Sequence, residues 1–228
     1  MLRYLAIAGL WKVLAAAACT AAAPCSTYTI INTRGTSEPQ TESLGFQLMN
    51  RNIHSQRPGG KTYNTVYFAD TVHSPKIGTE DILNHMNSTL ASSPDECFIL
   101  QGYSQGASAT VGALPYLTGA LFDAVKGVFL IGNPFHKAAL ACNVDINGGS
   151  STADVDGAFV FLDTTLAVPD DWVSKTLDVC NFGDGVCDST HGKGITVEHY
   201  DYITNLSVQG MGAGFALRQL SKAAEGCK

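Results

Sequence analysis

The sequence predicts an α/β fold of three layers, with a mainly parallel central sheet of about five strands between helices. Three observations predict it. Segments of strand character alternate with segments of helical periodicity from residue 28 to the C-terminal region. The run Gly127-Val128-Phe129-Leu130-Ile131-Gly132 is apolar without alternation, as a strand buried on both faces must be. Gly102-Tyr103-Ser104-Gln105-Gly106 stands between a short apolar run and a row of small residues, where a strand would turn sharply into a helix.

Taken in order, Tyr28-Thr29-Ile30-Ile31-Asn32 is β-branched and aromatic and predicts the first strand, followed by a turn through Arg34-Gly35-Thr36-Ser37-Glu38-Pro39. Leu44, Leu48, Met49 and Ile53 recur at helical spacing and predict a helix over about 41–54, broken by Arg57-Pro58-Gly59-Gly60. A strand is predicted over 62–68 and a loop over 70–76. Ile82, Leu83, Met86 and Leu90 give the next helix its apolar face, which Ser92-Ser93-Pro94 closes. The strand 98–101 then leads into a helix from Ser104 to about Phe122. The buried strand 127–132 ends at Asn133-Pro134. Residues 141–171 are rich in Gly, Asp, Ser and Thr around one apolar island, 158–162, read as an extra short strand. Thr176-Leu177-Asp178-Val179-Cys180 is the last central strand, and 207–225 a terminal helix presenting Met211, Phe215, Leu217 and Leu220. Crossovers in such a sheet are right-handed, and sites gather at the carboxyl ends of the strands.

The chain has 228 residues, enough for one sizeable core and too few for two comfortable ones. Residues 1–22 read as a secretory signal peptide: a short basic start at Arg3, an apolar run interrupted by Lys12, then small residues. That leaves 23–228 as a single domain. Lys12 splits a stretch already short for a membrane span, and no other stretch is long and apolar enough. Losing Arg3 and Lys12 lowers the basic count from 14 to 12 against 20 acidic residues, a formal charge of −8. Such a surface disfavours nucleic acid and acidic lipid. Cys19 would leave with the leader; Cys25, Cys97, Cys142, Cys180, Cys187 and Cys227 remain, an even number that in a secreted chain reads as disulfides rather than a metal site. Asn87-Ser88-Thr89 and Asn205-Leu206-Ser207 match the glycosylation pattern. No metal, cofactor or stable membrane insertion is expected, and the protein is expected to be a monomer.

A serine at a strand-to-helix turn is the arrangement of a nucleophile, and a serine hydroxyl needs a base in reach and an acid to orient that base. In such elbows the acid and then the histidine follow the serine. After Ser104 come His136, His191 and His199. His136 follows a strand end too early and is assigned to the surface or to a supporting position. His191 lies in a polar loop, where a solvated ring is the ordinary expectation. His199 stands just ahead of the terminal helix, where a loop can return it over the strand ends, and is the preferred base. Asp184 sits between Cys180 and Cys187; a disulfide between those two would close a small loop and hold the carboxylate, as orientation requires. Asp178, inside a strand, and Asp188, outside that loop, compete with it. Oxyanion donors are expected from the Gln105 N–H at the helix N-terminus and from the loop after the first strand, where Thr36 and Ser37 are both open.

Arg34-Gly35-Thr36-Ser37-Glu38, Gly102-Tyr103-Ser104-Gln105-Gly106-Ala107, Gly132-Asn133-Pro134 and Cys180…Asp184…Cys187 with His199 downstream, in this order and spacing, resemble the cutinase family. Within it they are most similar to fungal cutinase-like enzymes that also hydrolyse synthetic polyesters. The resemblance covers nearly the whole chain after residue 22. It implies Ser104 as nucleophile, His199 as base, Asp184 as acid, and Thr36 with the Gln105 N–H as oxyanion hole. It also implies disulfides Cys25 to Cys97 and Cys180 to Cys187. Cys142 and Cys227 have no counterparts in the simplest four-cysteine members, and their mutual pairing is an expectation. The expected activity is that of a secreted serine esterase acting on cutin, aliphatic polyesters and short to medium acyl esters, insoluble or small. No segment is available for a large lid, and Ile195 and Val197, apolar in a polar loop, are candidates for an acyl groove. Acetylxylan esterase is the alternative within the class; an inactive secreted binding protein is the alternative outside it.

Overall fold

The computed structural model describes residues 25–72, 74–163 and 165–222. The predicted leader at 1–22, Cys19, residues 223–225 of the predicted terminal helix and Cys227 lie outside them. The elements are β1 (Tyr28–Thr33), α1 (Gln47–Gln56), β2 (Gly60–Asn64), α2 (Lys76–Ser92), β3 (Cys97–Tyr103), α3 (Gln105–Ala113), α4 (Ala120–Ala124), β4 (Val125–Ile131), β5 (Asn143–Val144), α5 (Asp170–Val173), β6 (Thr176–Val179) and α6 (Leu206–Ser221). Short 3-10 helices span Leu114–Tyr116 and Val197–Ile203. The strands pair in parallel in the order β2-β1-β3-β4-β6-β5.

Parallel pairing forces crossovers over both faces, and the central strands are buried on both as a result. Alternate residues of β1, β3 and β4 feed two cores. Ile30, Ile99, Phe129 and Ile131 pack with Met49 and Ile53 of α1 and with Phe215 and Leu220 of α6. Ile31, Phe98, Leu100, Val128 and Leu130 pack with Ile82 and Met86 of α2 and with Ala107 and Val111 of α3. Each such aliphatic side chain contributes about 2 kcal/mol by leaving water. Cys25 is disulfide-bonded to Cys97, tying the start of the domain to the foot of β3. Among the described residues no helix is long and apolar enough to cross a membrane.

Several boundaries differ from the sequence expectation, each for a local reason. The strand expected over 62–68 stops at Asn64 because the Thr65 and Tyr67 carbonyls turn to accept the Arg34 guanidinium, at 3.2 and 2.6 Å. The first helix starts at Gln47 rather than 41, since Glu38 gathers the Ser43 hydroxyl and the Leu44 N–H into a loop. Pro115 and Gly119 divide the helix expected over 104–122 into α3 and α4. The island at 158–162 is not a strand: the Ala158 and Phe159 amides bond to the Val186 and Pro134 carbonyls, in loops. A sixth strand forms instead at Asn143–Val144, beside β6.

Two side chains sharpen the sequence reading. Cys142 is a free, buried thiol among the described residues, and Cys227, its expected partner, lies outside them. It packs in the α2–α3 core. Burial raises its pKa to about 12. His136 is neither exposed nor near the surface: it is fully buried in an ion pair with Asp178.

Candidate active site

The elbow forms where β3 meets α3. Ser104 has φ 54° and ψ −119°, a backbone state that costs a residue with a side chain about 1–3 kcal/mol and is held by its surroundings. Its N–H donates to the Ile131 carbonyl (3.0 Å), and its carbonyl accepts the Ala107 and Ser108 N–H groups of α3 at 2.9 and 3.2 Å. The glycine two positions on is a steric requirement: a Cβ on Gly106 would lie 2.1 Å from the Thr33 carbonyl oxygen. The sequence's row of small residues thus lets α3 cross β1 closely enough to leave the serine at the turn.

Above this turn stands the 3-10 helix Val197–Ile203. His199 Nε2 lies 2.9 Å from Ser104 Oγ, and Nδ1 lies 2.9 Å from each oxygen of Asp184. A carboxylate only accepts, so the ring proton sits on Nδ1 and the Nε2 lone pair faces the serine hydroxyl. Asp184 is fully buried, and its remaining lone pairs are used: the Val186 N–H donates to Oδ1 (3.0 Å) and the Tyr202 hydroxyl to Oδ2 (2.7 Å). The Cys180–Cys187 disulfide closes the loop that carries it. Tyr103, next to the serine, stacks on the His199 ring at 5.3 Å and donates its hydroxyl to the His199 carbonyl (2.7 Å). Gly132, with φ 55°, lets the ring lie flat on the end of β4; a Cβ there would sit 2.7 Å from His199 Cε1.

The loop after β1 is pinned from two sides. Arg34 is buried over the Tyr67 ring with its guanidinium on backbone carbonyls, and Glu38 Oε2 accepts the Gly35 N–H at 2.6 Å. The Thr36–Ser37 ambiguity narrows here. The Ser37 N–H already donates to the Ala69 carbonyl (2.6 Å), while among the described residues neither the amide nor the hydroxyl of Thr36 enters a hydrogen bond. Gln105 follows the serine at the N-terminus of α3, and its side-chain amide donates to the Asp70 carbonyl (2.8 Å).

The competing residues are placed elsewhere. Asp178 faces His136, not His199. Asp188 accepts from the Gly183, Thr190 and His191 amides and pairs with the His191 ring, which stacks on Phe182. Ile195 and Val197 are exposed at the start of the turn that carries His199, and Phe68, Phe161 and Leu162 are exposed on two other loops. Those loops join the site through neighbours: Asp70 meets Gln105, and Phe159 bonds to Pro134 beyond Gly132. A concavity of about 630 Å³ between α1 and α6 is lined by Leu48, Arg51, Leu206 and Gln209, away from these groups. Asn87 is exposed on α2, and Asn205 caps α6 through its Oδ1, which accepts the Ser207 and Val208 N–H groups. Sequence reasoning missed Tyr103, Tyr202 and Gly132. The spacing His199-x-x-Tyr202 is the signal that was present, because a 3-10 helix sets residues three apart on one face.

Residues 24–220 match the cutinase family. The chain is 53% identical to a cutinase-like protein from Cryptococcus sp., whose structure superposes with a TM-score of 0.85 over 90% of this chain and 100% of that one. It is 27% identical over 185 residues to a cutinase of Monilinia fructicola, spanning 78% of this chain and 77% of that protein. It is 26% identical over 209 residues to the carboxylesterase Culp1 of Mycobacterium tuberculosis, 88% and 84% of the two chains. With that match over nearly all of the described residues, the chain belongs to the cutinase family and is a carboxylic ester hydrolase.

Proposed function

We propose that the protein is a secreted serine esterase that cleaves cutin, aliphatic polyesters and short to medium acyl esters through an acyl-enzyme at Ser104. The observation that carries the reading is the line Ser104 Oγ, His199 Nε2, His199 Nδ1, Asp184, each step at 2.9 Å. As Oγ attacks the ester carbonyl, Nε2 takes its proton, and the imidazolium that forms faces the buried carboxylate. Negative charge develops on the carbonyl oxygen, where the Gln105 N–H and the Thr36 N–H and hydroxyl are the proposed donors. Collapse returns the proton from Nε2 to the leaving alkoxide and releases the alcohol. Water then repeats the sequence on the acyl group and frees Ser104.

Exposed Phe68, Phe161, Ile195 and Val197, at 60, 79, 57 and 75% of full exposure, support a hydrophobic or insoluble ester as substrate. The disulfides support an oxidising, extracellular setting. A fluorophosphonate probe tests the chemistry: wild type is labelled and Ser104→Ala is not, whereas an unlabelled wild type means an inactive binding protein. A chain-length series of nitrophenyl esters beside one solid polyester and acetylated xylan tests the substrate. Acetate release from xylan without polyester erosion would replace this substrate assignment with acetylxylan esterase.

A further inference from the structure

We propose that Tyr202 is a positioning residue for the Asp184–His199 pair, its phenol fixing the carboxylate in the orientation that His199 Nδ1 uses. The inference rests on the roles assigned to Ser104, His199 and Asp184 above.

The phenol has one proton, and its destination is determined. The Asn181 N–H donates to the phenol oxygen (2.8 Å), and of the two acceptors within reach of the hydroxyl, the charged Asp184 Oδ2 at 2.7 Å outcompetes the disulfide sulfur of Cys187 at 3.4 Å. The ring is fully buried, with Tyr103 packed edge-on at 6.1 Å. Burial and the charge of Asp184 both push its pKa well above the ordinary value, so the phenol remains a donor throughout the working range.

Without this bond, the backbone holds one carboxylate oxygen and leaves the other. The Val186 N–H reaches Oδ1 alone, and His199 Nδ1 is equally distant from both oxygens. Rotation about the carboxyl axis is therefore opposed on the Oδ2 side by Tyr202. The turn itself supplies the rigidity. His199 and Tyr202 project from one face of the same 3-10 helix, and the Tyr202 carbonyl is tied to α6 by the Gln209 amide at 2.8 Å. Base and positioning group thus move as one body relative to the acid.

The bond also tempers the carboxylate. A donor disperses its charge, and removing that donor makes Asp184 hold the imidazolium more strongly. The other ionisable neighbours stay as they are: Tyr103 from β3, Tyr200 on the same turn, Asp188 tied to His191, and Glu38 tied to the Gly35 and Leu44 amides.

The test compares wild type, Tyr202→Phe, Asp184→Asn and the double variant on nitrophenyl butyrate across pH, with rates expressed per site titrated by a fluorophosphonate. Tyr202→Phe is expected to lower kcat about tenfold with KM nearly unchanged, the scale of one hydrogen bond to a charged group. The acid limb of kcat/KM is expected to move to higher pH. On Asp184→Asn, adding Tyr202→Phe should cost less than about twofold, because both changes act through one group. Replacing Tyr202 alone with 3-fluorotyrosine, a stronger donor of nearly the same shape, should move the acid limb to lower pH. That readout stands even if Tyr202→Phe does not fold. A merely structural role would lower stability and leave kcat per titrated site and the limb unmoved; that result, or full additivity with Asp184→Asn, overturns the proposal. If wild type is not labelled at Ser104, or His199→Ala hydrolyses the ester at the wild-type rate, the site assignment fails first and this inference with it.

Discussion

Two histidines of this protein are buried against aspartates near the carboxyl ends of neighbouring strands, yet their free nitrogens face opposite kinds of group. His199 meets Asp184 through Nδ1 and turns Nε2 toward Ser104 Oγ, a hydroxyl that can donate. His136 lies with Nδ1 3.1 Å from Asp178 Oδ2 and turns Nε2 toward the Thr152 carbonyl at 3.0 Å, which can only accept. Both nitrogens of His136 therefore need a proton. The angle at Nδ1 is poor for a directed bond, so the contact with Asp178 is best described as an ion pair, with Asp178 Oδ2 also accepting from the Asn133 amide. A carboxylate neighbour alone does not make a base; a lone pair aimed at a transferable proton does.

The comparison breaks most visibly in activity. His199→Ala is expected to lower kcat/KM by about four orders of magnitude or more, and Asp184→Asn by a comparable factor through loss of the correct tautomer. His136→Gln should leave kcat per titrated site within a few-fold of wild type, since its ring offers nothing to substrate. Stability should rank the pairs the other way. Asp178→Asn leaves the His136 charge buried without its partner and should cost about 3–5 kcal/mol in urea unfolding. A catalytically dead but fully stable His136→Gln would invert the comparison and place the proton-transfer role elsewhere.

The same contrast has a pH signature. Burial alone would lower the His136 pKa, but the charge of Asp178, the contact with it, the Thr152 carbonyl and Asp156 together raise it above the ordinary 6.5. A group with a raised folded-state value contributes stability fully below its unfolded value and loses it as pH rises through the folded one. The urea midpoint of wild type is therefore expected to fall as pH climbs above about 6.5, and the fall should be absent in His136→Gln. Equal slopes in the two proteins would show that His136 is not the linked group.

The sheet was legible because β-branched and unalternating apolar runs have no other stable place than a two-sided interior. That His199 and Asp184 come together at Ser104 was legible from chain order and from the cysteines around Asp184. What escaped had its cause in three dimensions. Arg34 ends β2 by drawing off carbonyls from a segment more than thirty residues away in the chain, a contact no local pattern encodes. Asn143–Val144 is two residues long and is a strand only because β6 lies beside it. His136 reads as a surface or supporting residue because it follows the strand end at Asn133-Pro134. Its charge is hidden by Asp178, whose carboxylate faced inward from an apparently ordinary strand. Tyr202 was visible as spacing but not as meaning, because a 3-10 turn could not be told from the start of α6.

A third pair supplies the smallest and most discriminating effect. His191 Nδ1 lies 2.9 Å from Asp188 Oδ2, nearly the distance found for His199 and Asp184, but its side chain is 40% exposed and its Asp is already occupied by three backbone amides. Water screens such a pair, so its ring should contribute at most about 1 kcal/mol. The loop's shape is held instead by the Asp188 carboxylate on the Gly183 amide and by the Cys180–Cys187 bond. His191→Ala is accordingly expected to keep kcat/KM within about twofold and the urea midpoint nearly unchanged, whereas Asp188→Ala should slow the reaction by loosening Gly183 and hence Asp184. A large loss in His191→Ala would mean that a distance to a carboxylate is enough after all, and that burial and the direction of the second nitrogen are not what sets His199 apart.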